Sequence, residues 1–233
     1  MFNVKTKSKI AGVLFITATV TAISGLVLYD PILNNPDYLI TGAENNFRII
    51  FGAIFELFLV VSMIGTAVMM FPYLKMQDES LALAHVCFRF FEALIILIGI
   101  VSVLSLLSLS NDFTTGINSN TESYKASGVI LKAMHKWTFM LGPLLMLSIN
   151  TFLYSYLFYK SKLVPDKFSV LGMISATLVF ISFVFIVFGI FPQISLWGII
   201  LAFPQFIFEL ILAVWLIVKG FDLTLLNSKM IKS

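Results

Sequence analysis

The chain is poor in what chemistry in water usually needs. Of 233 residues one is cysteine, two are histidine and 12% are charged. A soluble domain carries about a quarter charged residues, so a water-facing globule of this length is excluded. The single cysteine, Cys87, rules out an intrachain disulfide and reads as a small core residue. No Cys/His cluster has metal-ligand spacing, so neither metal nor cofactor is expected. Nucleophile motifs and phosphate-cradling loops are missing as well. No basic run interleaved with aromatics stands in an exposed segment, so the net charge of +3 does not signal nucleic acid. Alternating strands of about ten residues, the mark of a membrane barrel, are absent too.

What remains is apolar sequence: 59% of the residues are hydrophobic and the mean hydropathy is +1.00. Apolar runs of about 18 or more residues cross a bilayer as helices, because only helices satisfy every backbone polar group without water. Six such runs stand at Ile10–Tyr29, Phe47–Phe71, Val86–Leu109, Trp137–Tyr159, Phe168–Phe191 and Leu196–Val218. The spacing predicts an all-α, polytopic bundle in one domain over residues 1–233, with the lipid bilayer as its partner. The first run follows Lys5, Lys7 and Lys9 like a signal peptide. Its apolar stretch nevertheless exceeds the usual 7–15 residues of a cleaved leader, which favours a retained helix.

Lysine and arginine set orientation by the positive-inside bias. With the N-terminus inside, the inner segments hold ten (Lys5, Lys7, Lys9, Lys75, Lys160, Lys162, Lys167, Lys219, Lys229, Lys232). The outer ones hold four (Arg48, Lys125, Lys132, Lys136). Both termini are therefore expected in the cytoplasm. The longest polar segment, Ser110–Lys136, reads as an outer loop whose later part, Tyr124–Lys136, extends the fourth helix outward. Asp30-Pro31 and Asn34-Asn35-Pro36-Asp37 are turn-forming clusters that stop the first helix. Trp137, Trp197, Tyr29 and Tyr159 fit interfacial belts.

Against this background four ionisable residues stand inside spans: Glu56, Arg89, Glu92 and Glu209. Each charge at mid-span costs about 2.5–3.5 kcal/mol on insertion scales, so each needs a partner, water or neutralisation. One positive and three negative charges do not cancel. Helical rotation of about 100° per residue puts His85, Arg89, Glu92, Ile96 and Gly99 on one face. Gly52, Glu56, Met63 and Ala67 share a second face, and Ala202, Gln205, Glu209, Ala213 and Leu216 a third. Small residues in each stripe permit close approach. Helices two, three and six are therefore expected to meet, with Arg89 reaching Glu56 or Glu209 as well as Glu92, and His85 at the inner edge.

Three readings follow. The cluster specifies which helices pair. Alternatively, its surplus carboxyls carry protons or cations in a small transporter. Thirdly, a carboxyl pair does acid–base work on a lipid-like substrate, although the missing motifs weigh against an enzyme, and no catalytic residue is assigned. Elsewhere, His135 reads as a wet interfacial residue and Asn150 as a helix–helix hydrogen bond. Gly142-Pro143 and Pro204 are expected to kink their helices.

Three segments carry a family likeness. Tyr154–Met173 (YSYLFYKSKLVPDKFSVLGM) has a helix end, an L-x-P turn and an L-G helix start. Phe206–Phe221 (FIFELILAVWLIVKGF) is a closing E-L…W-L-x-x-K-G helix. The third lies around Phe47–Leu57 and Arg89. Together they resemble a bacterial membrane family catalogued as domain of unknown function 4386. The resemblance implies a six-helix bundle in the bacterial cytoplasmic membrane and supplies no activity or site residues. Family members often place glycine after the serine of the inner turn and arginine after its proline, where this chain has Lys162 and Asp166.

Overall fold

A computed structural model describes residues 4–116 and 121–222. Lys229, Lys232 and the loop positions Ile117–Asn120 lie outside the described residues. Among the described residues the secondary structure is helical and no strand occurs. Six helical spans are long and apolar enough to cross a membrane. They are α1 (Val4–Leu28), α4 (Asn46–Leu74), α5 (Glu79–Thr114), a fourth span over 121–161, α8 (Asp166–Val187) and α9 (Leu196–Val218). The fourth span consists of α6 (Thr121–Met140), a π-helical turn (Leu141–Met146) and α7 (Leu147–Ser161). Two short helices, α2 (Asp30–Leu33) and α3 (Tyr38–Glu44), fill the first connection.

The spans run longer than hydropathy alone suggests, because capping and packing extend them past the apolar core. Asp78 Oδ1 accepts from the Leu81 amide at 2.9 Å and starts α5 well before Val86. The polar stretch after Ser110 is mostly helix: α5 continues to Thr114 and α6 begins at Thr121, taking in the anticipated extension. The expected break at Gly142-Pro143 is the π-helical turn. Proline lacks an N–H and frees the carbonyl four residues earlier. That carbonyl, of Phe139, accepts instead from Gln193 Nε2 at 3.4 Å. At Pro204, by contrast, α9 stays helical throughout.

The spans form a ring in chain order. α1 packs on α4, α4 on α5, α5 on α6 and α7, α7 on α8, α8 on α9, and α9 returns to α1. Gly12 makes the closure tight. A Cβ there would lie 2.6 Å from the Ala213 carbonyl oxygen and 2.8 Å from Ile217. At the same end Ser8 Oγ accepts from the Phe221 amide at 3.2 Å, and the Asp222 amide donates to the Leu163 carbonyl at 2.9 Å. This end, which carries the turns at 75–78 and 162–165, is called here the turn end. The opposite, cap end is covered by α2 and α3. Ser110 Oγ donates to the Leu39 carbonyl at 2.8 Å, and Gly128 lets the Tyr38 ring lie against α6.

The outer wall is apolar, with Phe51, Phe58, Val61, Phe90, Phe91 and Val101 all more than half exposed or nearly so. A soluble monomer does not present so large an apolar surface, whereas a bilayer-facing wall does. Cys87 lies on this wall and not in the core, because its helix turns the opposite face towards the ring's centre. Trp137, Trp197 and Tyr159 are exposed as belt residues should be. Tyr29 is buried instead, covered by α4 and the fourth span.

The turn after α7 contains both departures from the family pattern. Lys162 has φ 59°, a left-handed conformation that favours glycine. Its Nζ bonds both oxygens of Asp166 at 2.8 Å. The lysine and the aspartate thus replace glycine and arginine as a bonded pair. A side chain in the left-handed region costs about 1–2 kcal/mol, and an exposed ion pair returns about 0–1 kcal/mol. Lys162→Gly should therefore hold or raise the thermal midpoint in detergent, while the β-branched Lys162→Val lowers it.

Gly12→Val should lower that midpoint further, by a loss of about 1–3 kcal/mol from overpacking. Size-exclusion chromatography after heating would report both effects. An unchanged midpoint for Gly12→Val would mean that α1 and α9 do not close the ring as described.

Candidate functional site

The ring leaves its centre partly empty. A cavity of about 300 Å³ lies there, walled by residues from all six spans. Glu56, Arg89, Glu92, Gln205, Glu209 and His135 line it, together with apolar side chains such as Phe15, Met63, Ile96, Leu144 and Phe206. The three helical stripes expected from the sequence thus do converge, with the cavity between them. Contrary to the expected meeting of the second, third and sixth spans, neither α4 nor α5 forms a packed pair with α9: α1 packs on both α4 and α9, and α5 connects to α9 through α7 and α8. The sequence did not show this, since α1 carries no charge within its apolar run.

Arg89 is 3% exposed, and two of its nitrogens have bonding partners. Nη1 donates to Glu92 Oε2 at 2.9 Å, one helical turn along α5. With the Asn150 amide oriented to satisfy its neighbours, Nε donates to the Asn150 oxygen at 3.1 Å. The Asn150 nitrogen then bonds His85 Nδ1 and donates to the His85 carbonyl at 3.2 Å. Asn150 is therefore the expected interhelical hydrogen bond, and it ties α7 to α5 at the arginine. His85 is 1% exposed and set edge-on to Tyr154 at 5.5 Å.

Glu209 faces the Arg89 charge across the cavity but beyond salt-bridge distance. Its Oε1 accepts from Gln205 Nε2 at 3.0 Å. Gln205 also donates to Thr151 Oγ1 at 3.0 Å and accepts from Ser175 Oγ at 2.9 Å, so it bridges α9, α7 and α8. The sequence marked Gln205 only as a neighbour of Glu209. Thr151 and Ser175 were missed, because small hydroxyl residues in spans are common and usually bond their own helix.

Glu56 stands apart from Arg89, contrary to one of the expected contacts. It is 8% exposed and lies beside Gly25 of α1, where a Cβ would meet its side chain at 2.7 Å. The Tyr29 hydroxyl is its polar neighbour, close without meeting strict hydrogen-bond geometry. Among the described residues no cation lies within salt-bridge range of it. His135 completes this end of the cavity. It is buried between Tyr29, edge-on at 6.0 Å, and Phe139, stacked at 6.1 Å. It is therefore not an exposed residue, because α6 carries the helix past it and Tyr29 folds over it.

The cavity holds two polar groups. Towards its middle stand two bonded pairs, Arg89 with Glu92 and Gln205 with Glu209. Towards the cap end, Glu56 and Tyr29 form a smaller group beside His135. The described residues include no cluster of three or more His, Cys, Asp or Glu that suits a metal ion.

The fold defines a multi-pass, all-helical membrane protein. The family described as "Domain of unknown function (DUF4386)" matches residues 10–220, and the chain belongs to that family. Comparison with curated proteins and with solved structures returns no match.

The geometry separates the two groups energetically. Arg89→Ala leaves Glu92 buried without its partner, a loss of about 3–5 kcal/mol, and should collapse yield and thermal midpoint. Glu56→Gln keeps the shape and a polar atom for Tyr29, and should stay within about 1 kcal/mol of the native protein. Thermal unfolding in detergent compares them. Equal losses would refute the division.

Proposed function

We propose that the protein is a small carrier in which the cavity carboxyls take up a proton or a cation. The observation that supports this is the position of Glu56: a carboxyl more than nine-tenths buried, lining a cavity, with no cationic partner among the described residues. A carboxylate kept only for packing has its charge matched, as Glu92 has by Arg89. Intramembrane carboxyls that face a cavity are the usual equipment of proton and ion pathways. Glu209, bonded to a neutral glutamine and only distantly attracted by Arg89, offers a second acceptor nearer the middle.

The knot around Arg89 supports a complementary packing role. It joins α5 to α7 through Asn150, and Gln205 joins α9 to α7 and α8. A fixed frame of this kind lets the two remaining carboxyls change charge without loss of the bundle. In the orientation that the lysine and arginine distribution favours, the cap end faces outwards and Glu56 is the outer acceptor. The bacterial cytoplasmic membrane is the location that the family resemblance suggests.

Reconstituted vesicles with a pH-sensitive dye inside test this reading under an imposed membrane potential. Native protein should admit protons above the rate of empty vesicles, and Glu56→Gln or Glu209→Gln should remove most of that excess. Cys87→Ser, on the outer wall, should leave it intact. A native rate equal to empty vesicles, or one unchanged in both carboxyl variants, contradicts the carrier reading.

A further inference from the structure

On the side of α1 that meets α9, residues that wall the cavity also reach the outer surface, which we read as a gap between the two helices. The two helices are closest at the turn end, where Gly12 meets Ala213 and Ile217. Towards the cap end their facing residues line the cavity: Ala22, Ile23 and Leu26 on α1, Ala202 and Phe206 on α9. Ile23 is 52% exposed and Leu26 37%, although both are walls of the cavity. Around this gap the surface is apolar, with Val27 on α1 and Ile200 and Phe203 on α9 exposed. Such a surface adjoins acyl chains, so the gap faces lipid and not water.

We propose that a single-chain organic ammonium, a cationic amphiphile, enters from the bilayer through this gap and places its head against Glu56. The assignment rests on reading the cavity as a binding chamber. Three observations select the class. The head must be cationic, because Glu56 is buried, borders the cavity and has no cation of its own among the described residues. Phe139, stacked on His135, adds an aromatic ring to the same chamber, and such rings attract ammonium groups. The head must be small and the tail must remain outside. A cavity of about 300 Å³ holds the volume of about ten waters, at the lower limit for ligand pockets. The apolar gap lets the chain extend among the lipids. An anionic amphiphile is disfavoured, because Arg89, the one Lys or Arg among the described residues of the cavity wall, is already paired with Glu92 and bonded to Asn150.

Binding of radiolabelled dodecyltrimethylammonium to the protein in phosphatidylcholine nanodiscs tests this, with empty nanodiscs as the background. Saturable binding should appear, weaken at least tenfold in Glu56→Gln, and survive in Cys87→Ser. Ile23→Trp, which fills the gap from a lipid-facing position, should slow association at least several-fold while the protein stays folded. Tetramethylammonium, a head without a tail, should compete poorly, and dodecyl sulfate should not compete. Absence of saturable binding, equal affinity in Glu56→Gln, or equal competition by dodecyl sulfate would overturn the proposal. Saturable binding without proton flux upholds this inference and sinks the carrier reading. Proton flux without binding does the reverse.

Discussion

The structure depends on how one buried guanidinium is satisfied. Arg89 sits inside a bundle whose surroundings are hydrocarbon, where an uncompensated charge would cost several kcal/mol. Three spans supply its environment. Glu92 follows it on the same helix, Asn150 reaches it from α7, and Glu209 attracts it from α9. Those demands fix the rotation of α5 and the register of α7. Asn150 also satisfies His85, so the second polar group on that face of α5 is held in the same bond network. Arg89 leaves two of the cavity carboxyls, Glu56 and Glu209, without a salt bridge among the described residues.

Charge arithmetic explains why the cavity exists at all. Three carboxyls and one guanidinium cannot all be paired, and a tightly packed centre would strand the remainder in hydrocarbon. The ring instead leaves space beside Glu56 and Glu209. Glycines permit this by letting the helices touch elsewhere. Gly12 draws α1 onto α9, and Gly52 lets α4 approach Tyr29 at the end of α1. The contacts close the wall while the centre stays open.

Much of this was legible in the sequence, for identifiable reasons. Hydropathy located all six spans, because their length and composition do not depend on tertiary contacts. Helical periodicity placed Glu56, Arg89, Glu92, Gln205 and Glu209 on inward faces, since 100° of rotation per residue is a property of one helix alone. What periodicity cannot supply is the neighbour across the gap. The insertion of α1 between α4 and α9 was hidden, because α1 contributes only uncharged residues to the cavity wall. Tyr29 looked like a belt residue and His135 like a wet one. Both are buried because α4 and the fourth span close over Tyr29, and Tyr29 in turn lies against His135, contacts distant in sequence. Cys87 looked like a core residue because buried cysteine is common, yet its position opposite the Arg89 stripe puts it on the lipid wall.

The central claim is that Arg89 holds Glu92 and leaves Glu56 open within a lipid-facing cavity. An apolar carbodiimide, which partitions into bilayers and modifies accessible protonated carboxyls, addresses it directly when the modified residues are mapped by mass spectrometry. Glu56 should be the main product, with Glu209 behind it and Glu92 unmodified. Prior occupation by dodecyltrimethylammonium should protect Glu56. Preferential modification of Glu92, or none at Glu56 under conditions that label other membrane carboxyls, would contradict the account.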